Sequence, residues 1–252
     1  MIASPVLETR NLNVSFGGIR AVTGVSISVA RGELAGLIGP NGAGKTTFID
    51  SVSGFLPYST TGEVLLDGKA LRRLAPHRRV HHGLCRTWQS LELFNDISIE
   101  DNLKISSGKL TFLGSITDFW KPRTTGVEIE AIMERLGIAH IAKRLPRDLS
   151  QGEKKLVTVA RALASDAKLI LLDEPAAGLD SREAEWLGNI LRTIVMDGTA
   201  ILLVDHDTRL ILSTCDQVHV LQFGKLIASG TPTQIRSNER VTETYLGSGH
   251  DV

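Results

Sequence analysis

The stretch GPNGAGKTT at residues 39–47 combines glycines, a lysine and hydroxyls at the spacing of a phosphate-binding loop. The glycines let backbone amides approach a phosphate closely, since they carry no side chain. Lys45 can reach the β- and γ-phosphates of a nucleotide, and the Thr46 hydroxyl can ligate Mg²⁺. The alternative is a glycine-rich turn with a solvated lysine. It is disfavoured because an apolar strand pattern precedes the loop and a helical pattern follows it.

An acidic pair supplies the metal-binding partner that such a loop needs. In KLILLDE, residues 168–174, Asp173 ends a run typical of a buried parallel strand and is placed to hold Mg²⁺ directly or through water. Glu174 follows and can polarise an attacking water as a general base. Alone, an Asp-Glu pair before Pro175 indicates a helix-start cap. Beside a phosphate loop we interpret it as catalytic.

A second candidate anion site lies at the start of LSQGEKKLVTVARAL, residues 149–163. Ser150 and Glu153 have the spacing of a capping box, in which each side chain accepts from the other's backbone amide. Apolar residues then follow at helical spacing and predict one buried face. A helix N-terminus also binds anions, so capping and phosphate binding both remain open and are compatible.

Strand and helix patterns alternate through the middle of the chain, which predicts a mostly parallel sheet. Antiparallel pieces are expected on the N-terminal side and after residue 216. Strands are predicted at 25–29, 34–39, 62–68, 84–88, 168–174 and 199–207, with a hairpin turning at 223–225. Helices are predicted at 45–54, within 71–83 with Pro76 in the first turn, at 127–137, 149–163 and 181–198, and in the last part of the chain. Residues 104–126 are expected to form a long surface excursion.

The composition is that of a globular protein and excludes several classes. Of 252 residues, 42% are hydrophobic and 22% charged, with a formal net charge of zero, which argues against a dedicated nucleic-acid binder. No run approaches the roughly 18 apolar residues of a membrane span. The N-terminal stretch lacks the features of a secretory signal. Cys85 and Cys215 are too few for a disulfide framework, so a cytoplasmic location is expected.

The motifs in this order resemble those of the ATP-binding subunits of ABC transporters, along nearly the whole chain. Besides the phosphate loop, the matching features are TWQ ending at Gln89, LSQGE at 149–153, LILLDE at 169–174, AGLD at 177–180, His206 in VDHD, and Phe16 at the position of an adenine-stacking aromatic. The resemblance implies an α/β P-loop NTPase fold of the ABC ATPase type. Such a fold has a mostly parallel core sheet, an antiparallel β subdomain and a helical subdomain, here expected at approximately 90–165 of a single 1–252 domain, with a tail at approximately 230–252.

The resemblance also implies a role for each matching residue, with ATP and Mg²⁺ as cofactors. Glu174, His206, Gln89 and Lys45 are expected to be catalytic, and Thr46, Gln89 and Asp173 to hold the metal. Nucleotide contacts are expected from Phe16, Gly39, Pro40, Asn41, Gly42, Ala43, Gly44, Lys45, Thr46 and Thr47, and, across a dimer, from Ser150, Gln151, Gly152 and Asp180. Structural alternatives exist for three of them: Phe16 as a strand-end core residue, His206 as a structural histidine, and Asp180 as a helix N-cap.

The signature motif departs from the family's usual LSGGQ. Gln151 replaces a glycine and Glu153 replaces the glutamine. A carboxylate near a phosphate site is unfavourable unless it folds back into the capping box. The departure therefore bears on affinity for the second nucleotide and leaves the fold unaffected.

Four stretches resemble the ATP-binding subunits of branched-chain amino acid and urea-type importers, and the excursion fits the larger of two such subunits. They are CRTWQ, FNDISIEDNL, DEPAAGLD and the tail GTPTQIRSNERVTETYLG. This implies a second ATP-binding subunit (identical or not), transmembrane permease subunits, a solute-binding protein, no nucleic acid, and a peripheral place on the cytoplasmic side of the inner membrane. Lipopolysaccharide exporters share some features. A non-transport ABC ATPase and a binding-only cassette are further alternatives.

Three other groups of residues carry weaker hypotheses. The basic stretch of Arg72, Arg73, His77, Arg78 and Arg79 is interpreted as a solvated helix face, with a lipid or permease contact as the alternative. His81, His82 and Cys85 match the spacing of no standard metal site. Leu91, Leu93, Phe94 and Ile97 either line a groove for a helix of a membrane subunit or belong to the core.

Overall fold

The computed structural model describes residues 5–88, 93–107 and 126–242, and the side chains of 126 and 127 are outside this description. The chain divides into two compact units. Unit 1 comprises Met1–Arg86 and Lys168–Val252, and unit 2 comprises Thr87–Ala167. The helical subdomain expected at approximately 90–165 falls inside unit 2. Among the helices of the described ranges, none is long and apolar enough to cross a membrane.

Unit 1 contains an antiparallel sheet followed by a mostly parallel one, as predicted. The first sheet has the order β2-β1-β5-β6, with β3 also paired to β1, and the second has the order β11-β10-β4-β9-β8-β7. The strands are β1 Leu7–Phe16, β2 Ile19–Val25, β3 Ser28–Val29, β4 Leu34–Ile38, β5 Thr60–Leu66, β6 Lys69–Ala70, β7 Leu84–Arg86, β8 Leu169–Asp173, β9 Ala200–Val204, β10 Gln217–Gln222 and β11 Lys225–Gly230. Only β11 pairs antiparallel within the second sheet as described.

Helices fill the connections between these strands. The helices of unit 1 are α1 Lys45–Ser53, α2 Pro76–His81, α6 Ser181–Met196, α7 Thr208–Thr214, α8 Pro232–Arg236 and α9 Glu239–Val241; those of unit 2 are α3 Ile99–Ser106, α4 Gly126–Arg135 and α5 Gln151–Ala164. In unit 2, α5 packs against both α3 and α4. Of the four residues for which the helical spacing predicted a buried face, Leu156, Val159 and Ala160 are buried and Leu163 is half-buried.

The parallel sheet brings the ends of three strands to one edge. Every residue of β4, β8 and β9 is buried, as expected for parallel strands that are covered on both faces. Strand β4 pairs with β9, and β9 pairs with β8, all in the same direction. Ligands of open α/β sheets bind at the carboxyl ends of such strands. The fold therefore places the residues that follow β4, β8 and β9 together.

The structure differs from the sequence analysis at several places. The strand predicted at 25–29 is divided, since β2 ends at Val25 and β3 comprises Ser28–Val29. Residues 104–106 belong to α3 and are not part of an excursion, which otherwise falls largely outside the described residues. Within the basic segment 71–83 the helix covers Pro76–His81, and Pro76 lies in its first turn as predicted, because a proline is well suited to that position. Helix α7 was not predicted, since its apolar positions cover only two turns.

Arg79 also corrects the interpretation of the basic stretch as a solvated face. Its side chain is only 4% exposed and donates to the carbonyl oxygens of Ser51, Val52 and Leu74. Two of these carbonyls lie in the last turn of α1, where helix geometry leaves acceptors free for other donors; that of Ser51 also accepts from the Gly54 amide. Burial lowers the pKa of Arg79 to about 10, so the guanidinium remains charged at neutral pH. Arg79 is thus a structural cap of the helix that follows the phosphate loop.

We expect Arg79→Ala to destabilise the protein by about 2–4 kcal/mol, because it leaves buried carbonyls without donors. Arg78→Ala is the matched control, since Arg78 is the exposed neighbour on the same helix and should change stability by less than about 0.5 kcal/mol. The measurement is the free energy of unfolding in urea for both variants. Equal small effects for the two would show that the carbonyls find other donors.

Candidate functional site

The loop 39–47 leads from β4 into the first turn of α1, and Asn41, Gly42 and Thr46 are its exposed residues. Gly44 is the N-cap of α1 with φ 98°, and a Cβ there would lie 2.5 Å from the carbonyl oxygen of Ala21. Gly44 therefore cannot be replaced without strain. Gly42 has φ 78°, and a Cβ there would meet nothing within 4 Å, so this side of the loop is open. The N-terminus of α1 and the loop before it are a place where backbone amides can bind an anion.

Lys45 lies inside this loop. Its side chain is 8% exposed, and Nζ donates to the carbonyl oxygens of Gly39, at 2.7 Å, and Pro40, at 3.2 Å. Burial lowers the pKa of Lys45 below its ordinary value, and nearby negative charge partly offsets this effect. The opposing attraction comes from the carboxylates of Glu174, Asp173 and Asp205. The structure thus brings Lys45 together with the predicted acidic pair.

The turn between β10 and β11 braces the same loop, which the sequence did not indicate. The Gly224 amide donates to the Ala43 carbonyl at 2.9 Å, and the Gly224 carbonyl accepts from the Thr23 amide at 2.7 Å. The turn therefore ties the phosphate loop to β2. Its neighbour Phe223 is 82% exposed beside this contact.

Asp173 ends β8 with its carboxylate only 5% exposed. Its Oδ2 accepts from Arg86 at 2.9 Å, and Arg86 also pairs with Asp50 of α1. The other oxygen, Oδ1, is buried and has no hydrogen-bond partner among the described residues. Such an oxygen suits a hard cation, because Mg²⁺ is usually held by one or two carboxylates and the oxygens of a substrate phosphate. The residues present therefore fit Mg²⁺.

Glu174 has an unusual backbone for a residue other than glycine. Its φ is +50°, and its amide donates to the Val204 carbonyl at 2.7 Å, beyond the last pair of β8 with β9. Backbone strain of this kind is concentrated at functional sites. The side chain is half-buried at the edge where the strands end.

Asp205 is a further residue of this edge that the sequence analysis missed. It is fully buried, and its two oxygens accept from the amides of Ala176 and Asp207, both at 3.0 Å. Oδ1 also lies 3.6 Å from Nδ1 of His206, whose side chain is 60% exposed. Asp205 therefore connects the loop after β8 to the segment carrying His206. The signal was available, since an aspartate directly after a wholly apolar strand is seldom incidental.

In unit 2 the signature motif forms the predicted capping box. Ser150 Oγ accepts from the Glu153 amide at 3.2 Å, and Glu153 accepts from the Ser150 amide at 2.7 Å. Glu153 Oε1 also lies 3.5 Å from Arg144 and 3.7 Å from His140. Burial raises the pKa of Glu153, but the Ser150 hydrogen bonds and these cations outweigh it, so the pKa lies below its ordinary value. The extra carboxylate is thus folded back and compensated.

The remaining predicted residues are placed as follows. Phe16 ends β1 and is 45% exposed. Asp180 is the N-cap of α6 and forms a capping box with Glu183, which was its structural alternative. Gln151 is exposed, Gly152 is buried, and Gln89 lies outside the described residues, as does Leu91.

Comparisons with known proteins match this architecture. The family model described as "ABC transporter" matches residues 22–177, and the model "Branched-chain amino acid ATP-binding cassette transporter" matches residues 225–251. The chain is 33% identical to the high-affinity branched-chain amino acid transport ATP-binding protein BraF of Pseudomonas aeruginosa, covering 98% of this chain and 99% of the relative. It is 35% identical to the lipopolysaccharide export system ATP-binding protein LptB of Escherichia coli, covering 96% of this chain and 97% of the relative.

Solved structures of ATP-binding cassettes are similar to this chain over nearly its whole length. The ADP conformation of MJ1267, an ATP-binding cassette of an ABC transporter, superposes with a TM-score of 0.82 at 30% identity, covering 98% of this chain and 100% of that one. A nucleotide-free ATP-binding cassette from an ABC transporter gives a TM-score of 0.81 at the same identity, covering 96% and 99%.

The chain therefore belongs to the ABC transporter family. It has the ABC ATPase fold and is an ATP-binding, ATP-hydrolysing subunit that powers transport. Its relatives are ATP-binding subunits of transporters, which implies that it acts with permease partners.

Proposed function

We propose that this chain powers the import of branched-chain amino acids. The observation that carries the proposal is the match of residues 225–251 to the branched-chain amino acid cassette model, because the rest of the chain is also similar to a lipopolysaccharide export subunit. Named relatives such as BraF support the same solute class. Urea and other small polar solutes are the nearest alternatives.

At the site, the loop amides and Lys45 bind the β- and γ-phosphates of ATP, and Phe16 stacks on the adenine. Thr46, Asp173 and Gln89 would hold Mg²⁺, which would neutralise charge on the phosphate oxygens. Glu174 accepts a proton from the water that attacks the γ-phosphorus, and the bond to the β-phosphate oxygen breaks to give ADP and phosphate. This assignment rests on the convergence of Lys45 with the acidic pair.

His206 completes the proposed site. It orients the attacking water and contacts the γ-phosphate, while Asp205 fixes the segment that carries it. Pairing with a carboxylate is a common way to orient an imidazole ring.

The proposed assembly is a head-to-tail pair of ATP-binding subunits. In it, Ser150, Gln151 and Gly152 of one subunit meet the γ-phosphate held by the other, and Asp180 lies at the shared interface. The N-terminus of α5 favours an anion there. The pair docks on permease subunits from the cytoplasmic side of the inner membrane, and a solute-binding protein delivers the amino acid.

The test is purification of the tagged chain from native membranes, followed by reconstitution of the complex in vesicles. ATP-dependent uptake of labelled leucine, isoleucine and valine, stimulated by a co-purifying solute-binding protein, supports the proposal. Uptake of urea without leucine would correct the solute. Outward movement of lipid, with no solute-binding protein co-purifying, would show that the complex is an exporter and not an importer.

The compensated signature motif gives a further prediction. We expect Arg144→Gln to lower the apparent ATP affinity of the assembled ATPase by on the order of three- to tenfold, because it exposes the Glu153 charge to the second nucleotide. Adding Glu153→Gln should restore the affinity, since a glutamine keeps the capping box without the charge. ATPase rates against ATP concentration measure both. A double variant as weak as Arg144→Gln alone would show that Arg144 acts independently of Glu153.

A further inference from the structure

Arg86 connects three parts of the nucleotide site. It is the last residue of β7, which pairs parallel with β8, and its side chain is 5% exposed. One nitrogen pairs with Asp173 Oδ2 at 2.9 Å, and another pairs with Asp50. Asp50 lies on α1, the helix that follows the phosphate loop. The family resemblance gave Arg86 no role. The contacts join residues that are 36 and 87 positions apart in the chain.

We propose that Arg86 is a positioning residue that prepares Asp173 to bind Mg²⁺. By occupying Oδ2 it fixes the carboxylate and leaves Oδ1, which is buried and has no partner in the described part of the chain. Partners that hold a ligating carboxylate orient it and tune its affinity for the metal. The inference rests on the proposed role of Asp173 as a metal ligand.

The charge of the cluster supports this role. Arg86 lies between two carboxylates, so Asp50, Arg86 and Asp173 together carry one negative charge. A lone arginine beside a metal ligand would repel Mg²⁺, but here Asp50 compensates it. Because a guanidinium is planar and presents several donors, it can serve two carboxylates at once, which a lysine cannot do with the same geometry.

The chain offers two test variants with different chemistry. Arg86→Lys keeps the buried positive charge but loses the planar guanidinium, whose donors reach both carboxylates. Asp50→Asn keeps Arg86 and removes the compensating charge from a side chain that is 27% exposed, so it is the safer variant for folding. Arg31→Lys is the matched control, since Arg31 pairs at 3.0 Å with Asp67 in an exposed ion pair of the same unit.

The experiment measures binding of AMP-PNP, a non-hydrolysed ATP analogue, by calorimetry with Mg²⁺ and with EDTA. For the wild-type chain Mg²⁺ should tighten binding. We expect Arg86→Lys to reduce this Mg²⁺-dependent gain by about tenfold to a hundredfold, the usual effect of losing a partner of a metal ligand. Asp50→Asn should reduce it less, and Arg31→Lys should leave it unchanged. Affinities in EDTA should be alike for all four proteins.

Each other outcome is informative. If the gain is kept in both Arg86→Lys and Asp50→Asn, or if affinity in EDTA falls equally, Arg86 is only structural and the inference is overturned. If Mg²⁺ gives the wild-type chain no gain, the proposed metal site itself fails and the inference falls with it. A second check is Asp173→Asn: in that background Arg86→Lys should cause no further loss.

Discussion

Glu174→Gln is expected to lower kcat for ATP hydrolysis by about 10²–10⁴-fold while ATP binding is retained, because general bases contribute rate factors of this size. Glutamine has nearly the same shape but accepts no proton from the attacking water. The residue directly follows β8, has a strained backbone and lies close to Lys45. The measurement is steady-state phosphate release, with ATP binding assayed separately in the same preparation.

Glu185→Gln is the matched control for this result, since Glu185 is an exposed residue of α6 in the same unit. It makes the same chemical change away from the strand ends and should alter kcat by less than about twofold. A Glu174→Gln enzyme with undiminished turnover would contradict the role of Glu174 as the base. It would leave the other residues of the strand edge as candidates.

Lys45→Met should weaken ATP binding by about tenfold to a hundredfold, because a hydrogen bond from a charged group contributes about 1.5–3 kcal/mol. The net change in stability should be small, because removing a buried charge is favourable while the Gly39 and Pro40 carbonyls lose their donor. Lys45 is desolvated, as its lowered pKa shows, and methionine fills similar space without a buried charge. The measurements are ATP affinity by calorimetry and the urea midpoint of unfolding.

Lys69→Met, on the exposed short strand β6, serves as the comparison and should leave ATP affinity unchanged. If Lys45→Met bound ATP as tightly as the wild-type chain, the loop amides alone would hold the phosphates. If it unfolded, the hydrogen bonds from Lys45 to the loop carbonyls would be more important for folding than the desolvation cost suggests.

Much of the fold was predictable because its signals are local. Largely apolar runs mark β4, β8 and β9, and the loop motif lies between a strand and a helix. The capping box at Ser150 is likewise local, because its two residues lie within a stretch of four. Predictions of this kind depend on spacing along the chain, which the sequence displays directly.

The features that were missed depend on contacts between distant residues. Nothing in the order of Arg78 and Arg79 shows which of them is buried. Helix α3 was missed because the buried Asn102 interrupts its apolar pattern, and its side chain instead bonds with the backbone of Phe94. The pairing of Arg86 with Asp173 exists only after β7 and β8 have come together.

The turn at Gly224 has a consequence for how the protein is made. The phosphate loop leaves the ribosome before the segments that complete it, because β4 pairs with the later strands β9 and β10 and the loop is braced by the turn at Gly224. A nascent chain that ends before β10 has the nucleotide motif with one edge of its strand unpaired. The loop is thus synthesised before its own support, and a nascent chain must be extended past Gly224 before the hydrogen bond to the Ala43 carbonyl can form.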